Sequence, residues 1–286
     1  MGLRIETWNI AYRKKAENTF RNTGAPFTLI SNGYKGWYAD PFLFDYNGDT
    51  YLFAEYFSYK LGRGVISVAK YDPAKDSFCE FSEIIREDYH LSYPVVFEYD
   101  SQIYIMPECG ESNGLYFYEA VDFPSKWKKI SVADEKIRLA DTTPFMLGKD
   151  LYALSLKQKM DSASGELILM KYDGSFFKTV KIITDDMSVA RPGGNIIIGE
   201  DGSLVRVSQN CKDDYGKALN FIKVQDLSGE YREEIICRWQ PDSVSLTNGK
   251  NAEGVHTYNS SRLLEVVDLK FYRNSWYRLF LKDSLI

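Results

Sequence analysis

The feature that most constrains this chain is that it repeats itself. The segment Pro41 to Glu55 (PFLFDYNGDTYLFAE) aligns without a gap with Pro94 to Glu108 (PVVFEYDSQIYIMPE), at an offset of 53 residues. Pro41/Pro94, Phe44/Phe97, Tyr46/Tyr99, Tyr51/Tyr104 and Glu55/Glu108 are identical pairs. Each copy is an apolar run, a polar turn and a second apolar run, which is the pattern of a β-hairpin. Asn47-Gly48-Asp49 is the turn signal of the first copy. Weaker copies run from Asp141 to Ser155, from Arg191 to Gln209 with a turn at Glu200-Asp201-Gly202, and from His256 to Lys270. The copies start roughly 50 to 65 residues apart, a period typical of propeller blades. Further strand-like runs lie between them at Val65–Tyr71, Leu115–Glu119, Leu167–Tyr172 and Leu219–Val224. About four strands per repeat make one blade. The sequence therefore predicts an all-β, five-bladed β-propeller, in one domain over residues 1–286. A β-sandwich or two-sheet barrel would explain the strands but not five hairpins that each open on a polar residue.

A closed ring needs its ends joined, because open sheet edges invite aggregation. The N-terminal run Arg4 to Ile10 is expected to complete the last blade beside Trp276 to Leu281. Long helical periodicity is absent, and Lys14 to Asn22 reads as a short helix or loop. Aromatic residues make up 15% of the chain, which suits half-buried strands and also supplies surfaces on which sugars stack. The net charge of −5, with no basic run, argues against a nucleic-acid surface. No apolar stretch approaches the roughly 18 to 20 residues of a membrane helix. The N-terminal sequence lacks a secretory h-region, so a cytoplasmic setting is expected. The four cysteines form no CxxC pair and are expected to be reduced and mostly buried.

In a propeller the innermost strands line the axis, so matching residues of each repeat converge. This places Asp40, Tyr93, Asp141, Arg191 and His256 in one ring. The hairpin ends supply a second ring of Glu55, Glu108, Ser155 and Gln209. Both histidines of the chain, His90 and His256, lie in these motifs. Buried polar groups need partners, so a convergent ring implies a ligand site or an internal network. Glu55 and Glu108 pairing with Arg191 or Arg206 is the structural alternative.

Ala39-Asp-Pro-Phe, Phe53-Ala-Glu55, His90-Leu-Ser-Tyr-Pro94 and Met106-Pro-Glu108 resemble the N-terminal propeller of the glucosamine inositolphosphorylceramide transferase family. Arg191-Pro-Gly-Gly194, Gln209 with Tyr215-Gly216, and Gly254-Val-His-Thr257 fit the same pattern. The family is similar to the five-bladed glycoside hydrolases of families 43 and 68. In bacteria such domains accompany surface-polysaccharide enzymes, and the transferase activity that names the family is attributed to a separate domain. The resemblance carries Asp40 over as the first-blade general base. Where the hydrolases have a second-blade Asp this chain has Tyr93, and their third-blade Glu has no clear match.

Glycoside chemistry uses two carboxyl groups, one of them an acid with a raised pKa. The expectation is a carbohydrate-active enzyme that cleaves or transfers a glycosyl unit of a cell-surface polysaccharide or its precursor. Asp40 would be base or nucleophile, and Glu108 or Asp141 the acid or its tuner. Glu55, His90, Tyr93, Arg191, Gln209 and His256 would hold a carbohydrate or sugar-nucleotide ligand. A partner or fused domain of polysaccharide biosynthesis would complete the system. The alternative is a non-catalytic glycan-binding or scaffold propeller, favoured by the missing second-blade Asp. No HExxH, CxxC or EF-hand spacing marks a metal and no glycine-rich loop marks a phosphate site, so no cofactor is expected; two histidines and several carboxylates at the axis leave a cation there as the alternative.

Overall fold

The computed structural model describes residues 4–15, 20, 25–133, 136–159, 164–199, 202–227 and 229–274. The chain opens with β1 (Arg4–Lys14) and β2 (Thr28–Leu29). The first blade is β3 (Gly36–Tyr46), β4 (Asp49–Ser58) and β5 (Arg63–Asp72), with β6 (Ser77–Phe78) and β7 (Ser82–Ile85) both paired to β5. The second is β8 (Ser92–Tyr99), β9 (Gln102–Glu108), β10 (Tyr116–Asp122) and β11 (Lys126–Ser131). The third is β12 (Leu139–Leu147), β13 (Asp150–Gln158), β14 (Gly165–Tyr172) and β15 (Phe177–Thr184). The fourth is β16 (Arg191–Pro192), β17 (Ile197–Ile198), β18 (Leu204–Asn210), β19 (Ala218–Asp226) and β20 (Arg232–Trp239). The fifth joins β21 (Gly254–Ser260) and β22 (Leu264–Asn274) to β1 and β2. These are the five antiparallel sheets of a five-bladed β-propeller. The inner strands touch in the order β3, β8, β12, β16; the fourth blade meets β21 through β18 and β19, and β21 returns to β3.

The repeats become hairpins for a local reason. In the first, the two-residue loop Asn47-Gly48 has φ of 51° and 86°. In the second, Asp100-Ser101 has 50° and 60°. Two consecutive positive φ values give a turn whose twist matches that of the flanking strands.

Five hydrophobic clusters occupy the five seams between blades. Phe42, Phe53 and Ile66 meet Val95 and Ile105 between the first and second, and Met106 and Phe117 meet Leu151 and Ile168 between the second and third. Leu154 and Leu156 meet Ala190 between the third and fourth. Phe221 and Trp239 meet Val255 and Tyr258 between the fourth and fifth, and Ile10 and Val266 meet Leu43 and Leu52 where the fifth returns to the first. Each fully buried aliphatic or Phe side chain contributes about 1.5–3 kcal/mol. Because both faces of a blade pack against neighbours, the strands read as near-continuous apolar runs rather than clean alternation.

The N-terminal strand does close the ring, but beside a different strand from the one expected. β1 pairs with β22 from Arg4↔Asn274 to Lys14↔Leu264. Residues 276–281 lie outside the described residues, as do Glu200 and Asp201 of the fourth turn and most of the 14–22 segment. The described part of that segment has Lys14 ending β1. Only Cys109 is buried among the free cysteines, and Cys79 is exposed, because Cys79 follows the short edge strand β6. Among the described residues no helix is long and apolar enough to cross a membrane.

Candidate functional site at the propeller axis

Four inner strands break their pairing at the same level. Ala39↔Glu55 is followed by Phe42↔Phe53, so Asp40 and Pro41 face Ala54 alone. Tyr93 and Pro94 likewise face Pro107, Asp141 and Thr142 face Ser155, and His256 and Thr257 face Asp268. Two residues opposing one is a β-bulge, and it accommodates Pro41 and Pro94, which have no N–H for the ladder. The bulge puts Asp40, Tyr93 and Asp141 at φ of 49°, 47° and 49°, unfavourable for side chains with a Cβ. The fourth strand is divided instead, at Gly193-Gly194 between β16 and β17. Gly194 has φ +150°, and a Cβ there would lie 1.9 Å from the Tyr258 carbonyl.

Each strained amide is caught by a carboxylate of the preceding blade. Asp40 N–H donates to Asp268 Oδ2 at 2.8 Å, Tyr93 N–H to Asp40 Oδ2 at 3.1 Å, and Asp141 N–H to Glu108 Oε2 at 3.1 Å. The axial carboxylates therefore staple blades together as well as facing the axis.

Two charge centres stand on this frame. In one, His256 lies between carboxylates, with Nδ1 2.7 Å from Asp268 Oδ1 and Nε2 3.3 Å from Asp40 Oδ1. Burial alone would lower its pKa, but Asp268, which is hydrogen-bonded to Nδ1, and Asp40 together raise it. Trp8 stacks on it with centroids 3.9 Å apart. Asp40 also accepts from the Thr257 hydroxyl at 2.9 Å. Burial raises the Asp40 pKa to about 6, against the pull of His256.

In the other centre, Arg191 pairs through Nε with Asp141 Oδ2, and its Nη2 lies 3.6 Å from Glu108 Oε2. Gln209 Nε2 also donates to Asp141 Oδ2, at 2.7 Å. Tyr215 lies under the guanidinium, 4.9 Å from its ring centroid. Burial and Asp141 push the Glu108 pKa well up, and Arg191 only partly opposes them. Glu108 is thus an axial carboxyl whose proton is held more tightly than usual by burial and by the neighbouring Asp141. Its side chain is 18% exposed, against 6% for Asp40.

The predicted ring is therefore assembled, with its members in different situations. Asp40, Asp141, Glu108, Arg191, Gln209 and His256 form the two centres. Glu55 stands beside Asp40, and burial, reinforced by Asp40 and Glu108, raises its pKa well above the usual carboxylate range. His90 sits at the rim with its side chain 31% exposed. Tyr93 points inward, fully buried, with its hydroxyl 2.9 Å from Thr143 Oγ1 and accepting the Gly194 N–H at 2.6 Å. Its hydroxyl is consumed by other blades. Ser155 does not match Glu55 and Glu108: it faces the bulge, one residue out of register, and bonds Thr142 Oγ1 at 2.8 Å. Arg206 pairs with Glu233 on β20, away from the axis.

Sequence reasoning missed Asp268, Trp8 and Thr257. Asp268 had a signal, an acid inside Val266-Val-Asp-Leu269. An acid inside an apolar run implies a buried charge with a partner. Asp40, His256 and Asp268 also offer ligand atoms all within 4.8 Å of one another, the arrangement a cation would need.

A ring of five bladed sheets with charged groups gathered at the axis defines a class, the five-bladed β-propellers with an axial site. Within that class, the family model described as glucosamine inositolphosphorylceramide transferase 1, N-terminal, matches residues 5–276, and the chain belongs to that family. A glucosamine inositolphosphorylceramide transferase 1 of Arabidopsis thaliana is 33% identical over 229 residues, covering 75% of this chain and 28% of that protein. One of Oryza sativa subsp. indica is 29% identical over 262 residues, covering 87% of this chain and 34% of that protein. The chain thus spans about a third of the length of these relatives. Both are plant proteins, so they lend no support to a bacterial setting. Among solved structures, an α-L-arabinofuranosidase of Podospora anserina in complex with cellotriose superposes with TM-score 0.62 at 10% identity, covering 94% of this chain and 98% of that one. A thermostable family-43 glycoside hydrolase gives TM-score 0.58 at 12% identity, covering 82% and 89%. At these identities the likeness is one of fold.

Proposed function

We propose that the axial site binds a glycan or sugar nucleotide and makes or breaks a glycosidic bond, with Glu108 as acid and Asp40 as base. The observation that carries this reading is Glu108, a partly exposed carboxyl set beside Asp141 and Arg191, whose pKa burial and Asp141 raise. Glycoside chemistry needs an acid of that kind to protonate the leaving oxygen as the C–O bond breaks. Asp40 takes the proton of the incoming hydroxyl, from water in hydrolysis or from an alcohol in transfer. Arg191 holds Glu108 and Asp141 in place. The names of the plant relatives and of the superposable hydrolases agree with a carbohydrate ligand, and the relatives' greater length fits a second domain acting with this one.

A second reading, a non-catalytic glycan-binding module, is favoured by one specific observation. Both oxygens of Asp40 already accept hydrogen bonds, from Thr257 and from Tyr93 N–H. The two readings separate in one assay. Wild type, Asp40→Asn and Glu108→Gln are incubated with glycans and sugar nucleotides, and products are followed by mass spectrometry. The enzyme reading expects product from wild type and a loss of about 10²-fold or more in each folded variant. Equal rates in all three would sink the assignment of acid and base, and saturable glycan binding without product would establish the module.

A further inference from the structure

Glu55 and His90, at the seam between the first and second blades, have no part in the acid and base assigned above. Glu55 Oε1 is buried and accepts no hydrogen bond. His90 Nε2 lies 3.4 Å from it, without hydrogen-bond geometry. The tautomer of His90 follows from its other nitrogen. Gly64 N–H donates to His90 Nδ1 at 2.9 Å. A backbone amide does not give up its proton, so Nδ1 stays bare, the ring proton sits on Nε2, and the ring is neutral. Burial also holds the His90 pKa below its usual value, with Glu111 opposing. The acidic groups facing the ring are Glu55 from β4 and Glu111 from the turn after β9. The amide is held in place because residue 64 admits no side chain. A Cβ on Gly64 would lie 2.3 Å from the Leu91 carbonyl and 2.7 Å from Glu55 Oε1.

The result is a fixed donor, Nε2–H, beside a carboxyl oxygen, Oε1, that takes no hydrogen bond, neither satisfied by the other. A phosphate or carboxylate would be repelled by the lone pairs of Oε1. An ammonium would meet the Nε2–H. A hydroxyl is the group that both accepts from one and donates to the other. Beside the pair, the Phe57 ring lies 6.2 Å from the imidazole and stacks on Trp37 with centroids 4.8 Å apart and planes at 6°.

We propose that His90 and Glu55 form a hydroxyl-recognition pair for a neutral sugar ring, Nε2–H donating to one ligand hydroxyl and Oε1 accepting from it, with Phe57 and Trp37 against the ring's C–H face. This rests on reading the axis as a glycan site, and it assigns these two residues to binding rather than proton transfer.

His90 and His256 are the chain's two histidines, so ¹⁵N-histidine labelling reports each ring separately. Spectra are recorded from pH 5.5 to 8, then during titration with glycerol and with D-xylose. His90 is expected to show a bare Nδ1 and a protonated Nε2 throughout, and its Nε2 signal to move on adding either polyol while that of His256 stays. Glu55→Met keeps the length and removes the acceptor. It should weaken the polyol response about fivefold, the loss of one hydrogen bond, with the unchanged His256 signal showing that the axis is intact. A proton on His90 Nδ1, a His90 signal indifferent to both polyols, or full affinity in Glu55→Met overturns the pair. The measurement needs no turnover, so a negative result here and a negative result in the product assay bear on different claims.

Discussion

Tyr93 belongs to the second blade, yet its side chain touches Phe42 of the first, Thr143 of the third and Gly194 of the fourth. Its place at the axis was legible, because Ser-Tyr-Pro aligns with Ala-Asp-Pro one repeat earlier. Its task was not, since alignment says where a backbone goes and not where a hydroxyl finds partners. Tyr93→Phe should leave the Gly194 N–H buried without its acceptor, at a cost of about 1–3 kcal/mol. Urea denaturation would read this as a lower midpoint with an unchanged slope. An unchanged midpoint would mean that water replaces the hydroxyl. Leu156, not Ser155, is the match to Glu55 and Glu108: β12 carries the same bulge as β3 and β8, and Ala140 pairs with Leu156 as Ala39 pairs with Glu55.

At the scale of the element, the closing strand carries the ring. Arg13 on β1 lies directly opposite Glu265 on β22, and Nε donates to Oε2 at 2.5 Å with both side chains buried. The guanidinium also stacks on Phe27, 4.2 Å from the ring centroid. The sequence indicated that the first strand would close the last blade, because joining the ends removes open sheet edges. It did not show that β22 would be the partner. That choice depends on eleven residues of β1 matching eleven of β22 in register. Arg13→Ala should leave the Glu265 charge buried and unpaired, at a cost of about 3–5 kcal/mol. Thermal unfolding would show a fall of about 6 °C or more. A fall of less than a degree would mean that the pair is dispensable to closure.

For the whole molecule, the axis is a store of protons. Asp40, Glu55 and Glu108 all have folded pKa values above their ordinary 3.8 or 4.5, and His256 lies above 6.5. The folded chain therefore binds more protons than the unfolded chain between those values. The stability this contributes is complete below the ordinary carboxylate range and is lost as pH rises, for Asp40 through about 6 and for His256 through a value above 6.5. The slope is about 1.4 kcal/mol per pH unit for each proton. Surface aspartates act oppositely: hydrogen bonds lower the pKa of Asp72, Asp173, Asp186 and Asp214, so stability also falls as the solution becomes strongly acid. The thermal midpoint should be highest in mildly acid solution and decline toward pH 9. Calorimetry across pH 4 to 9 would check this, and a midpoint rising steadily from pH 5 to 9 would contradict it.

The repeats by themselves determined the blade count, the hairpins and which residues reach the axis, because those follow from local turn chemistry and from a period that every copy shares. Only the tertiary structure decided which of those residues is acid, staple or donor. The charge state of Glu108 depends on Asp141 and Arg191, that of His256 on Asp40 and Asp268, and the tautomer of His90 on the Gly64 amide. These partners come from other strands or other blades, and an electrostatic environment made by groups distant in the chain exists only once the ring has closed.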